Sequence, residues 1–276
     1  MLQWQSGSWI LGSTSAPKVL GIYGLGITLG TYYGTFSTAI SSVFLPRATQ
    51  MSVNNASGKE LTDMMVKLGR LSFIILMYVF GAFLMYGEQF INLWVGAGDT
   101  NNTERFSSSE CYQIFLISIF VMIGYTTPLL QAFGNSILEA KNKVSFKAVL
   151  YLIFMLIGAV VGGFLSEKYG ALGMVGSLVG AWLIVQNVMN FYYNYKIKLH
   201  IVYFFKEVFN KTIIAVLISF AIGYSIKYTP GLGWFNFIIK GILYSIAYIS
   251  LAFLIGMKPY EKDLFIKPIN AFLNKK

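Results

Sequence analysis

Seven stretches of this chain carry no charged residue: 19–46, 71–87, 111–138, 148–166, 169–195, 212–226 and 241–257. A helix that crosses a bilayer needs about 20 mostly apolar residues, within a range of about 17–25. Five of the intervals meet that length alone. The second meets it by running past Glu88 through "QFINLWV", and the sixth by letting Lys211 and Lys227 bury their stems and lift their ammonium groups to the interface. Only 12% of the 276 residues are charged while 56% are hydrophobic, about half the charged share of a soluble domain. An α/β core would have to hide seven long apolar runs in a domain too small to cover them. The sequence therefore predicts an all-α integral membrane protein with about seven transmembrane helices.

The net charge of +10 would suit nucleic acid, but the lysines and arginines fall in short clusters between apolar runs, as in loops that flank a membrane. No nucleic-acid partner is expected, and the lipid bilayer is. Taking loops alternately, 16 of the 21 basic residues fall on one side: Arg47, Lys59, Lys67, Arg70, Lys141, Lys143, Lys147, Lys196, Lys198, Lys206, Lys211, Lys258, Lys262, Lys267, Lys275 and Lys276. The other side holds Lys18, Arg105, Lys168, Lys227 and Lys240. This bias puts the first set in the cytoplasm, hence the C-terminus inside and the N-terminus outside. In "FLPRATQM", Pro46 is expected to stop the first span and Arg47 to mark its cytoplasmic exit. Residues 1–18 read as an outer segment and the remnant of a truncated helix, without the basic start or cleavage site of a signal peptide.

Helical spacing places Gly24, Thr28, Thr31, Thr35, Thr38 and Ser42 on one stripe of the first span. Two readings stand: close helix packing through small and hydroxyl residues, or the wall of a wet cavity. On the third span Ser118, Tyr125, Pro128, Gln131 and Asn135 share a broad stripe, and Pro128 is expected to kink the helix. On the fifth, Gly173, Gly176, Gly180, Asn187, Asn190 and Asn194 share a face. Amides at membrane depth are costly unless they meet partners or water, which makes Gln131, Asn135 and Asn187, with Tyr125, Thr31 and Thr35, the candidates for a substrate path. Asn190 and Asn194 read as interfacial, beside Tyr192 and Tyr193.

Catalytic signatures are absent. No P-loop, HExxH or GxSxG occurs, so neither an enzyme nor a cofactor is expected. His200 reads as a solvated loop histidine. Cys111 is the single cysteine, so no intrachain disulfide forms, and its place at the outer start of the third span predicts an accessible thiol. "NNT" at 101–103 matches a glycosylation sequon on the outer side, and "NAS" at 55–57 another on the inner side.

Three segments resemble one family. "YYGTFSTAISSVFLPRATQM" (32–51) resembles the second helix of the C-terminal half of bacterial polysaccharide flippases, with its proline–basic–x–Thr exit. "EQFINLWVG" (88–96) is similar to the FIxLWxG at the outer end of the next helix. "QAFGNSILEAKNKVSFK" (131–147) is similar to the Gln-x3-Asn-x6-Asn-Lys-x2-Phe-Lys stretch at the inner end of the one after. Order and spacing agree to about residue 200. The family comprises the O-antigen and capsule repeat-unit flippases of the multidrug/oligosaccharidyl-lipid/polysaccharide exporter superfamily.

The resemblance implies a fold of about 12–14 helices in two bundles around a cavity. It implies an undecaprenyl-pyrophosphate-linked oligosaccharide moved across the bacterial inner membrane. This chain would supply the second bundle at 19–200, two further helices at 201–257 and a basic cytoplasmic tail at 258–276. A companion N-terminal half and polysaccharide polymerase or assembly proteins would be partners. Arg47, Arg70, Lys141, Lys143 and Lys147 would then be inner-mouth cations for the pyrophosphate, although topology alone also accounts for them. A drug or ion antiporter of the same superfamily, or a membrane-embedded polysaccharide polymerase, is the alternative. Each would want a carboxylate in the membrane or in a large loop.

Overall fold

The computed structural model describes residues 2–54, 56–96, 106–231 and 233–273. About 90% of the chain is helical, and no strand occurs among the described residues, only an isolated bridge between Gly96 and Phe106. The elements are α1 (Leu2–Thr14), α2 (Pro17–Val53), α3 (Gly58–Val95), α4 (Ser108–Leu130), α5 (Ala132–Ala140), α6 (Ser145–Tyr192), α7 (Ile201–Phe209), α8 (Thr212–Lys227), α9 (Gly233–Leu251) and α10 (Pro259–Leu273). π turns at Tyr193–Ile197 and Ala252–Gly256 extend α6 and α9.

Among the described residues, four helical stretches are long and apolar enough to cross a membrane: Gly58–Val95, Ser108–Leu130, Ser145–Ile197 and Gly233–Gly256. A fifth arises if α7 and α8, bent by 46°, form one span. Their outer faces suit lipid. Leu152, Leu156, Val160 and Phe164 of α6, Ile214 and Leu217 of α8, and Ile242, Ile246 and Ile249 of α9 are all exposed. Water would not tolerate apolar faces of this extent.

α6 is continuous only in name. Gly170 sits at φ 57°, ψ −141°, outside the helical region and in a half of the map where other residues are strained. The chain reverses there. Ser177 Oγ donates to the Gly158 carbonyl at 2.8 Å, Trp182 Nε1 donates to the Tyr151 hydroxyl at 3.1 Å, and Phe146 stacks on Tyr192 at 4.5 Å. Each of these pairs joins a residue before Gly170 to one after it, and the earlier the first partner the later the second, so residues 145–169 and 171–192 form an antiparallel hairpin. The break falls at the start of the fifth apolar interval, just after the charged pair Glu167 and Lys168.

α2 does not stop at Pro46. It runs to Val53 with Pro46 inside. A proline removes one backbone hydrogen bond, and the helix continues beyond the apolar run as a polar extension. Pro128 behaves as expected: α4 ends two residues later, and Gln131 (φ −99°, ψ 17°) separates it from α5. Capping boxes start α3 at Ser57–Glu60 and α4 at Ser107–Glu110, each side chain satisfying an orphan N–H of the other's residue. Much of the stretch read as a C-terminal tail is the helix α10.

One side of the fold is fastened by Arg70. It is fully buried on α3. Its Nε and Nη2 donate to Glu261 at 2.6 and 3.2 Å. Nη1 donates to the carbonyls of Glu207 (2.7 Å) and Asn210 (3.0 Å), and Nη2 to that of Gly256 (2.8 Å). Glu261 also accepts from the Lys258 backbone N–H at 2.7 Å and the Tyr260 hydroxyl at 2.8 Å. Burial, and then that bond to the carboxylate, raise the Tyr260 phenol. Lys258 pairs with Glu207 at 2.6 Å. On the opposite side, Lys18 meets Glu110 at 2.9 Å and Lys227 meets Glu88 at 4.0 Å. Every one of these pairs joins residues that the loop count assigns to the same side.

Removing one member of the buried pair strands the other. Arg70→Met should lower stability by about 3–5 kcal/mol, read as a drop in melting temperature in detergent. Arg70→Met/Glu261→Met should be less unstable than the sum of the two single variants. Additive losses would show that the pair does not act as a unit.

Candidate functional site

The polar centre of the molecule lies between α4–α5 and the α6 hairpin. Gln131 occupies the break between α4 and α5 and is fully buried. Its amide Nε2 donates to Asn190 Oδ1 at 2.8 Å, and its oxygen accepts from Gln186 Nε2. The Gln186 oxygen faces the Tyr151 hydroxyl at 3.5 Å, and Tyr151 accepts from Trp182. Trp182 lies edge-on to Tyr125 at 4.6 Å, and Trp4 of α1 closes the line by donating to the Tyr125 hydroxyl at 3.1 Å. Toward the basic side, Asn135 Oδ1 accepts from Lys147 Nζ and from the Tyr193 hydroxyl, both at 2.6 Å. The Lys147 ammonium also lies 5.4 Å from the Tyr151 ring centre, within cation–π reach. The result is a seam of amides, phenols and one ammonium in which each named polar group has a partner inside the protein.

The structure thus brings Tyr125, Gln131, Asn135 and Lys147 together. It adds Gln186, Asn190, Tyr151, Tyr193, Trp182 and Trp4, of which the sequence reading noted only Asn190 and Tyr193, as interfacial. It separates Asn187. That residue is exposed, and its amide donates to the Leu183 carbonyl of its own helix at 2.8 Å. One residue is 100° of helix, which is enough to put Gln186 in the seam and Asn187 outside it.

The hydroxyl stripe of α2 is not the packing face against α4. α2 meets α4 through Gly26 and Gly30: a Cβ on Gly30 would come within 2.6 Å of Val121, and Ser118 Oγ donates to the Gly26 carbonyl at 3.1 Å. Thr28 and Thr35 are exposed, Thr31 half-buried. Their hydroxyls bond the carbonyls of Gly24, Tyr32 and Thr28 at 2.8, 2.7 and 2.9 Å. A Cβ on Gly24 would meet nothing within 4 Å. The described part of the stripe, from Gly24 to Thr35, therefore faces away from α4. Thr38, Ser42 and the Arg47 side chain lie outside the described side chains, as does the sequon at 101–103 outside the described residues.

Arg70 is not an inner-mouth cation. All five of its N–H groups are used internally, so it has none to offer an anion. Lys147 is held by Asn135. Lys143 is exposed and Lys141 half-buried in the α5–α6 turn, where Asn142 takes a positive φ of 50° that asparagine tolerates. Cys111 is fully buried, with its thiol 3.8 Å from the Phe106 carbonyl, so the expected accessible thiol is not there. Among the described residues, no cluster of His, Cys, Asp and Glu could hold a metal ion.

No family model, curated protein or solved structure matches the chain.

Gln131→Leu would strand the amides of Gln186 and Asn190. A cost of about 1–3 kcal/mol is expected, seen as a lower melting temperature in detergent. Asn187→Leu should change stability by no more than about 0.5 kcal/mol. Equal melting of the two variants would remove the distinction between seam and outer face.

Proposed function

We propose that the chain forms one wall of a flippase that carries undecaprenyl-pyrophosphate-linked oligosaccharide repeat units, of O-antigen or capsule, across the bacterial inner membrane. The observation that carries this reading is the outward hydroxyl face of α2. Threonines at membrane depth gain nothing from lipid, and they suit a hydrated, glycan-bearing cavity whose other wall comes from a companion bundle. The three resembling segments supply the family. The reading takes seven spans: α2, α3, α4 with α5, the two limbs of α6, α8, and α9. The basic side is cytoplasmic. Lys143 and Lys147, at the inner end of the hairpin, are the cations placed to meet a pyrophosphate. A proton-driven antiporter finds less support, because the buried carboxylate among the described residues, Glu261, is saturated by Arg70.

Two measurements test the reading. Deleting the gene should abolish surface glycan and leave the polyprenyl-linked repeat unit in the inner leaflet. Normal surface glycan would end the proposal. In a Cys111→Ser background, Thr28→Cys and Thr35→Cys should react with a membrane-impermeant maleimide, while Leu156→Cys, on the apolar face of the hairpin, should not. Ser109→Cys should label on intact spheroplasts, and Ser145→Cys only after the membrane is opened. The reverse pattern for the last pair would invert the topology.

A further inference from the structure

The segment that joins α6 to α8 builds a basic groove that the export reading does not use. The π turn Tyr193–Ile197 ends on Lys198, which takes the left-handed conformation at φ 61°. α7 follows, nine residues long. Its inner face, Ile201, Phe204 and Val208, is buried, and the Phe204 ring lies where a Cβ on Gly69 of α3 would come within 2.6 Å. The His200 N–H donates to Thr62 Oγ1 at 3.0 Å, which ties the start of α7 to α3. On the other face Val202 is 85% exposed and Tyr203 45%. A short helix bent by 46° from the next span, anchored on one face and apolar on the other, has the form of an element lying in the membrane interface.

Beside it is a groove of 680 Å3 lined by Lys59, Asn194, His200, Val202, Tyr203 and Lys206. The neighbouring acids are largely taken. Glu60 accepts from the Ser57 N–H at 2.8 Å, and Glu207 is paired with Lys258. Asp63 acts on Tyr203 from α3 and does not line the groove. Neither Lys59 nor Lys206 forms an ion pair with a described residue. Two unpaired ammonium groups, an imidazole and an amide thus converge beside exposed apolar side chains, on the side of the fold that holds most of the basic residues.

We propose that this groove binds the phosphodiester headgroup of an anionic glycerophospholipid. Lys59 and Lys206 meet the phosphate, Asn194 and the Tyr203 hydroxyl meet the glycerol, and Val202 lies against the start of the acyl chains. The proposal requires that the chain sit in a membrane, and it holds whether or not the chain exports a glycan.

The test uses the purified full chain in detergent, stripped of lipid, with phosphatidylglycerol as the probe. Phosphatidylglycerol should raise the melting temperature, and phosphatidylcholine should not. Native mass spectrometry should show phosphatidylglycerol retained by the wild type. Lys59→Gln/Lys206→Gln should weaken that binding on the order of 20-fold, since each lysine near an anionic surface contributes about a factor of five. Lys59→Arg/Lys206→Arg should retain it, which separates loss of charge from loss of fold. Inorganic phosphate at the same concentration should not displace the lipid. Displacement would assign the groove to free phosphate and overturn the lipid assignment. Equal stabilisation by phosphatidylcholine, or unchanged binding in the glutamine variant, would overturn the site itself.

Discussion

A helix that ends inside a protein leaves carbonyl groups that water cannot reach, and the guanidinium of Arg70 satisfies three of them at once. Two belong to the end of α7 and one to the turn that closes α9. Arginine alone among side chains can do this, because it presents five donors in a fixed plane and stays charged. The charge then has to be balanced, and Glu261 at the start of α10 balances it with two further bonds. Four elements that are far apart in sequence therefore meet at one side chain of α3. The bent α7–α8 junction, with Lys211 at φ 60°, can exist in apolar surroundings because its carbonyls are met there. The groove beside α7 follows from the same junction, since it is the bend that turns Val202 and Lys206 outward.

The α6 hairpin rests on a second constraint. Its limbs approach closely because the facing positions are small: Gly158 lies against Ala181, and Gly162 against Ser177 and Met174. Dispersion and one hydroxyl-to-carbonyl bond hold such a seam in lipid, where the hydrophobic effect between helices is absent. Below that contact the facing residues change from small to polar, and the amide seam begins at Trp182 and Gln186. The first limb then has most of its bulky aliphatic residues on its outer side, Leu152, Ile153, Leu156, Ile157, Val160 and Val161 among them. This explains how a stretch so poorly buried within the protein, 17% of its most apolar window, is still a well-formed helix: the bilayer supplies the missing contacts.

The helical, apolar character of the chain was legible because a charge in a bilayer is expensive, although four or five of the described helices, not seven, are long and apolar enough to cross a membrane. The pairs Lys18–Glu110, Lys227–Glu88 and Lys258–Glu207 each join residues that the loop count puts together. What each polar residue faces was not legible. The stripe through Gln131 and Asn135 was visible because α4 and α5 carry few amides, but spacing alone did not show that their partners lie inside the protein. The second limb of α6 carries Gln186, Asn187, Asn190 and Asn194, and a spacing rule starting from its glycines selects Asn187, one position off the seam. Arg70 was misread because its partner lies 191 residues away. Nothing in its neighbourhood distinguishes a buried clamp from a loop cation. Cys111 was misread because spacing gave no sign that its thiol turns inward, to 3.8 Å from the Phe106 carbonyl, just after the capping box of α4.

A polar group that is fully paired inside the protein is a poor ligand for anything else, since binding would first have to break the bond it makes. By that rule the amide seam is the rigid part of the molecule. Gln131 cannot turn toward a ligand without stranding Gln186 and Asn190 in apolar surroundings. Asn135 is committed to Lys147 and Tyr193. The α2 face differs: the Thr28 and Thr31 hydroxyls donate to carbonyls of their own helix, and a hydroxyl that donates there keeps its lone pairs for a donor from outside. Asn187 is in the same position, exposed and bonded to its own turn. Exposed hydroxyls and an exposed amide therefore lie on the outward surfaces of α2 and of the second limb of α6, and the seam fixes the geometry of the α6 surface behind it.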